Sequence, residues 1–202
     1  MTQLTVATVV EGQGDQEAVP LLLNRIAAEM KPAMYLRRIK PIPRPRNKIV
    51  KQGELETVVE LAARNLGGSG AILVLLDSDD DCPAELGPSL LQRAAGARRD
   101  LPVGVVLANR EFESWFVAAA ESLGGQRGLA GDISAPADPE VLRNPKRWLT
   151  ERMTGSRSYS ATADQAALAT KFDLHLCRQG SPSFDKFHRE VVGLLEDLRG
   201  HE

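Results

Sequence analysis

Apolar and polar positions follow two rhythms along this chain, and the two take turns. Leu4 to Val10 (LTVATVV) is a continuous, β-branched run closed by Glu11-Gly12, the pattern of a strand buried on both faces. Val19, Leu22, Leu23, Ile26, Ala27 and Met30 then fall on one face at helical spacing, which predicts a helix leaving the EGQGD turn. Asp15 is a candidate N-cap for it, although Pro20 then lies beyond the first turn, where proline is best tolerated. Met34 to Lys40 reads as a second strand, and the proline-rich PIPRPRNK after it as an extended surface segment. Leu55, Val58, Val59, Ala62, Ala63 and Leu66 mark an amphipathic helix stopped by Gly67-Gly68. Ile72 to Leu76 is a third buried strand and Val103 to Leu107 a fourth, with a helix broken by Pro83 and Pro88 between them. Phe112, Trp115, Phe116 and Ala119 begin another helical stripe.

Strands alternating with helices predict an α/β fold: a mostly parallel, Rossmann-like sheet flanked by helices. Residues 1–123 carry that pattern. Residues 124–202 are expected to form a helical extension packed on the core in one compact unit. Gly124 to Pro139 reads as a loop or linker, and Asn144-Pro145 as an N-cap and first helical residue. Thr162-Ala-Asp-Gln165 reads as a capping box opening a helix to about Leu174. Ser181-Pro182 precedes a last helix with Phe184, Phe187, His188, Val191, Leu195 and Leu198 on one face.

With 202 residues and 43% hydrophobic content the chain suits one domain with a real core. Cys82 and Cys177 form no CxxC pair, and His175, His188 and His201 are not at metal-ligand spacing, so neither a zinc site nor a disulfide framework is expected. No run approaches a membrane span and no signal peptide precedes the first strand, so a cytoplasmic location is expected. Trp115 and Trp148 read as core anchors rather than base-stacking platforms.

The net charge of −2 is informative only through its distribution. Arg37, Arg38, Lys40, Arg44, Arg46, Lys48 and Lys51 form a run of seven basic residues with no acidic one between them. The third strand instead ends in Asp77, Asp79, Asp80 and Asp81, four carboxylates among five residues. In an open parallel sheet, ligands bind just beyond the carboxyl ends of the strands. Glu11 ends the first strand, Asp77 and Asp79 the third, and Glu111 and Glu113 lie just past the fourth, so all are expected along one edge. Crowded carboxylates repel, and Mg²⁺ or Mn²⁺ would relieve that repulsion. The same acidic stretch also reads as a solvated turn that caps the next helix. The glycine turn is no nucleotide motif, because Glu17 stands where G-x-G-x-x-G needs its third glycine and no G-K-[ST] follows.

A strand ending in Glu-Gly, then a strand ending in Asp-x-Asp, resembles the Toprim domain of topoisomerases, primases and the overcoming-lysogenization-defect nucleases. More narrowly, VEGQGDQEAVPLLL, LLDSDDDCP, NREFESWF, NPKRWL and SPSFDKF together resemble a Toprim-like bacterial family, domain of unknown function 4276. The resemblance implies Glu11 as general acid/base or metal ligand, and Asp77 and Asp79 as the pair that holds Mg²⁺. Asp81 is implied as a further ligand or merely an N-cap, and Glu113, or alternatively Glu111, as completing a second metal site. With only Tyr35 and Tyr159 present, tyrosine-based strand passage is not implied.

The expected function is therefore Mg²⁺-dependent phosphodiester hydrolysis on DNA or RNA. The resemblance adds a role as effector of a bacterial defence system with a partner ATPase. Arg37, Arg38, Lys40, Arg44, Arg46 and Lys48 would contact the nucleic-acid backbone in a salt-sensitive way, or else form a solvated edge that aids solubility. A non-catalytic nucleic-acid- or partner-binding subunit is the alternative. A glycosyl- or nucleotidyl-transferase using Asp77-x-Asp79 is a third reading, without a recognisable base pocket.

Overall fold

The computed structural model describes residues 4–200; His201 lies outside them. Five strands form one parallel sheet: β1 (Leu4–Val10), β2 (Leu36–Arg37), β3 (Ile42–Pro43), β4 (Ala71–Asp77) and β5 (Val103–Ala108). The order is β2-β1-β4-β5, with β3 also paired to β1. Leu36 lies opposite Leu4 and Ile42 opposite Val9, so β2 and β3 are two pieces of a single interrupted edge. Parallel pairing throughout puts every strand's carboxyl end on one side of the sheet.

The helices in chain order are α1 (Gln13–Glu29), α2 (Arg46–Ile49), α3 (Glu54–Leu66), α4 (Pro83–Ala97), α5 (Ser114–Ala118), α6 (Pro145–Glu151), α7 (Ala166–Ala169), α8 (Leu174–Gly180) and α9 (Pro182–Gly200). Strand residues alternate between two cores, as the pleat requires. Ala7, Val9, Ile72, Val74, Leu76, Val105 and Leu107 bury against α3 and α4. Val6, Val10, Leu73, Leu75 and Val106 bury against α1, α5, α8 and α9 on the other face. That second core is closed by six rings. Trp115, with no exposed surface, packs at 4.7 Å from Phe112, 5.1 Å from Phe184 and 5.0 Å from Phe187, while Phe116 and Phe172 meet at 5.7 Å. The Trp115 indole also donates to Ser183 Oγ at 2.9 Å, satisfying its polar edge inside the core.

The α/β fold expected from the alternation is the one observed, and several local readings are corrected. The second strand is shorter than residues 34–40. The proline-rich stretch is not merely extended surface, since Ile42 is buried at 8% exposure and Arg44 N donates to Val10 O at 2.8 Å. Proline is tolerated there because an edge strand need not donate on both sides. Gly12, not Asp15, is the N-cap of α1, and Asp15 sits at its third position, accepting from Gly12 N at 2.9 Å. Thr162 opens no helix. A π-turn, Ala161–Gln165, follows Ser160, whose N–H donates to Asp164 Oδ2 at 3.1 Å. The helix expected to reach Leu174 breaks after Ala169, and Asp173 caps α8 by accepting from Leu176 N. Asn144 caps α6 as expected, accepting from Arg147 N at 2.9 Å. Residues 124–138 form no helix or strand, yet Leu129 and Ile133 are buried in the same core as α1 and α9. Trp148 is buried and carries Arg152 on its face at 3.7 Å.

Candidate carboxylate site

The parallel sheet delivers Glu11, Asp77 and the Glu111–Glu113 segment to one edge, and hydrogen bonds tie them there. The Asp77 N–H points at Glu11 Oε2 at 3.4 Å, so the glutamate side chain folds across the end of β4. Asp77 Oδ1 accepts from Phe112 N at 2.8 Å, which draws the segment after β5 over the same spot. Glu113 is only 2% exposed and accepts from the Tyr159 hydroxyl at 3.0 Å. Lys146 Nζ bridges Glu111 at 3.1 Å and Glu113 at 3.5 Å.

The turns after β4 and β5 hold each other in a strained form. Asp79 (φ 51°) and Arg110 (φ 64°) both adopt the left-handed conformation, which costs a non-glycine residue about 1–3 kcal/mol. Reciprocal bonds fix them: Asp79 N donates to Arg110 O at 3.0 Å and Arg110 N to Ser78 Oγ at 2.9 Å. The Arg110 guanidinium then reaches Asp80 at 2.6 Å. Arg46 spans the acidic turn from the other side, paired with Asp81 and 3.6 Å from Asp79 Oδ2; its side chain is only 15% exposed.

Charge is concentrated where the bonds converge. Burial raises the Asp77 carboxyl well above the ordinary aspartate range, and Asp15, Glu113 and Glu11 push it further. Burial likewise raises Glu11, with Asp79 and Asp15 adding to it and the Asp77 N–H opposing. Asp15 and Glu113 are raised by burial as well, and Lys146 partly offsets both. Burial alone would lower Lys146, but Glu113 and Glu111 outweigh it and hold the ammonium above its usual range. Four carboxylates that resist ionisation together are what a hard cation would relieve. As the side chains stand, no three acidic, histidine or cysteine groups among the described residues converge closely enough to hold an ion. Asp79 and Asp81 are turned toward Arg46, and Asp15 is engaged on both oxygens.

The expected site residues therefore divide. Glu11 is bonded to Asp77, and Glu113 lies near enough to raise the Asp77 carboxyl; Asp79 adds charge beside Glu11; Glu111 and Glu113 share Lys146; Asp81 is exposed and held by Arg46. The basic run does not gather around the carboxylates. Arg37 bonds Thr5 Oγ1 and Leu66 O near the amino end of β1, and Arg38 pairs with Glu17. Lys40 and Lys48 are exposed along the edge, and only the Arg44–Lys48 end of the run follows β3, past the carboxyl end of β1. Sequence reasoning missed Asp15, Lys146, Tyr159 and Gln165. Asp15 follows Glu11 by four residues through the same glycine turn, a proximity that the sequence does carry; the other three arrive from the distant C-terminal third with no such signal.

An α/β, Rossmann-like domain with carboxylates collected at the carboxyl edge of its sheet is the class that this fold and site define. The family model for domain of unknown function 4276 matches residues 10–191, and the chain belongs to that family. No curated protein and no solved structure matches it.

Proposed function

We propose that the chain is a divalent-metal-dependent phosphodiesterase acting on nucleic acid, with Toprim-like use of its carboxylates. The observation that carries this reading is the gathering of Glu11, Asp15 and Asp77 at one strand edge, each tied there by a backbone N–H, with burial raising all three carboxyls and that of Glu113. Uncompensated carboxylates destabilise a fold, so a cluster of them calls for a ligand that neutralises it. Glu11, Asp77 and Asp79 are the residues to hold Mg²⁺ or Mn²⁺, with Asp15 and Glu113 beside them and Asp81 at the margin. A bound cation would neutralise phosphate charge and lower the pKa of a water. Where Glu11 stands free of the cation instead of ligating it, its raised proton affinity suits proton transfer to or from that water. Arg46 and Lys146 supply positive charge at the rim, and Arg44 and Lys48 extend it along the edge.

No helix among the described residues is long and apolar enough to cross a membrane. Both cysteines are free, which suits a reducing cytoplasm. A partner ATPase and a defence role rest on the family resemblance alone.

The test is cleavage of labelled single- and double-stranded DNA and RNA with Mg²⁺, Mn²⁺ or EDTA. Metal-dependent cleavage lost in Asp79→Asn supports the reading; equal activity in that variant contradicts it. One observation favours a second reading. Lys146 already neutralises Glu111 and Glu113, as a resident cation would in a non-catalytic binding subunit. That subunit would bind nucleic acid in a salt-sensitive way without turnover under any metal.

A further inference from the structure

The C-terminal third does more than cover the sheet, because one of its side chains is built into the first strand's exit turn. Gln165 is 2% exposed, and its Nε2 donates to Asp15 Oδ1 at 2.6 Å across 150 residues of chain. Its Oε1 occupies the space beside Gly14, where an added Cβ would stand 1.9 Å away. Only a residue without a side chain leaves room for the carboxamide there. The other Asp15 oxygen accepts from Gly12 N at 2.9 Å, so its carboxylate is fixed from two sides.

The support behind Gln165 is equally specific. It closes the π-turn Ala161–Gln165, a rare geometry that is frequent at functional sites. The preceding residue, Asp164, is 1% exposed and clamps that turn to its surroundings. It accepts from Arg127 at 3.1 Å, Arg157 at 3.0 Å and Ser160 N at 3.1 Å. Two arginines and a capped backbone N–H thus fix the turn from which Gln165 reaches. A side chain that only filled space would need neither a donor aimed at a carboxylate nor a glycine cut to receive it.

We propose that Gln165 is a positioning residue that holds the Asp15 carboxylate toward Glu11 and Asp77, so that the strand-edge site is completed by the C-terminal third. This rests on the metal-site reading proposed above, with Asp15 as a further ligand. Hydrogen-bond partners behind metal ligands orient them, and their loss weakens metal affinity by roughly 10–100-fold.

The experiment compares Mn²⁺ binding, followed by electron paramagnetic resonance, in the full chain and in Gln165→Met. Methionine keeps the length and apolar stem but has no N–H to donate. The expected result is an affinity weaker by roughly 10–100-fold in a variant that still melts in one cooperative transition in EDTA. Wild-type affinity in a folded Gln165→Met overturns the positioning role and leaves the metal site standing. Absence of Mn²⁺ binding by the wild type overturns the metal site, and the positioning role with it. Should the methionine variant not fold, Gln165→Glu keeps the shape while presenting a carboxylate to Asp15. Weakened binding in that variant at pH 8 supports the proposal; affinity equal to wild type at pH 8 overturns it.

Discussion

Lys146→Met perturbs the site's electrostatics with little loss of packing, because methionine retains most of the lysine stem. The ammonium it removes lies 3.1 Å from Glu111 and 3.5 Å from Glu113. Each contact is worth about 1 kcal/mol at the full screening of bulk water. Glu113 is nearly sealed from solvent, which strengthens its contact, while the Lys146 side chain is 45% exposed, which weakens both. We expect a net loss of about 2 kcal/mol at pH 8. For a chain of 202 residues that corresponds to a fall in Tm of roughly 4–8 °C. The loss should shrink at pH 5. Glu113 has its pKa raised by burial, so it takes up a proton as pH falls and no longer needs the cation. Scanning calorimetry in EDTA at both pH values is the assay. An equal loss at pH 5 and pH 8, or none at pH 8, would refute the electrostatic reasoning.

Asp77→Asn keeps the acceptor for Phe112 N but removes a charge that Asp15, Glu113 and Glu11 oppose. Because the folded-state pKa is raised, Asp77 contributes its full share of stability only below the usual carboxylate range. That share is lost as pH rises through the raised value. The variant should therefore melt higher than wild type in EDTA at pH 8 and gain little at about pH 4; a lower Tm at pH 8 contradicts this. Arg46→Gln frees Asp79 and Asp81 from their counter-ion, so it should tighten Mn²⁺ binding and weaken nucleic-acid binding in the same preparation. Parallel changes of the two affinities would count against Arg46 as a captive cation. Trp115→Ala empties the ring cluster that joins α5 to α9 and should cost about 3–5 kcal/mol by urea unfolding; a loss below about 1 kcal/mol would show that the two do not depend on it.

The sheet was legible because buried parallel strands write themselves as unbroken apolar runs. Leu4 to Val10 and Ile72 to Leu76 need no partner to be recognised, and the acidic residues that follow them inherit their position from the sheet. Glu11, Asp77 and the Glu111–Glu113 segment are therefore assigned to one sheet edge by the sequence alone. β3 was hidden because Pro41, Pro43 and Pro45 dominate its local signal, while pairing with β1 is a tertiary fact. Arg46 could be named as basic, but not turned. Its pairing with Asp79 and Asp81 depends on the short helix α2 bringing it back over the acidic turn. Lys146, Tyr159 and Gln165 were illegible for a different reason. Each sits on or beside a short helix and reaches the site through contacts more than 30 residues away in sequence. Capping logic even misdirected the reading at Thr162, where Asp164 turns back to Ser160 N and a π-turn replaces the helix start.

Equilibrium Mn²⁺ binding by wild type and Asp77→Asn, at pH 8 and followed by electron paramagnetic resonance, tests the central claim most directly. The account predicts saturable binding to the wild type at submillimolar metal. It also predicts loss of that binding in Asp77→Asn, whose metal-free Tm is at least as high. At about a hundred times its dissociation constant the metal should stabilise the wild type by about 2.7 kcal/mol. Wild type and variant binding Mn²⁺ alike, or neither binding at millimolar metal, would contradict it.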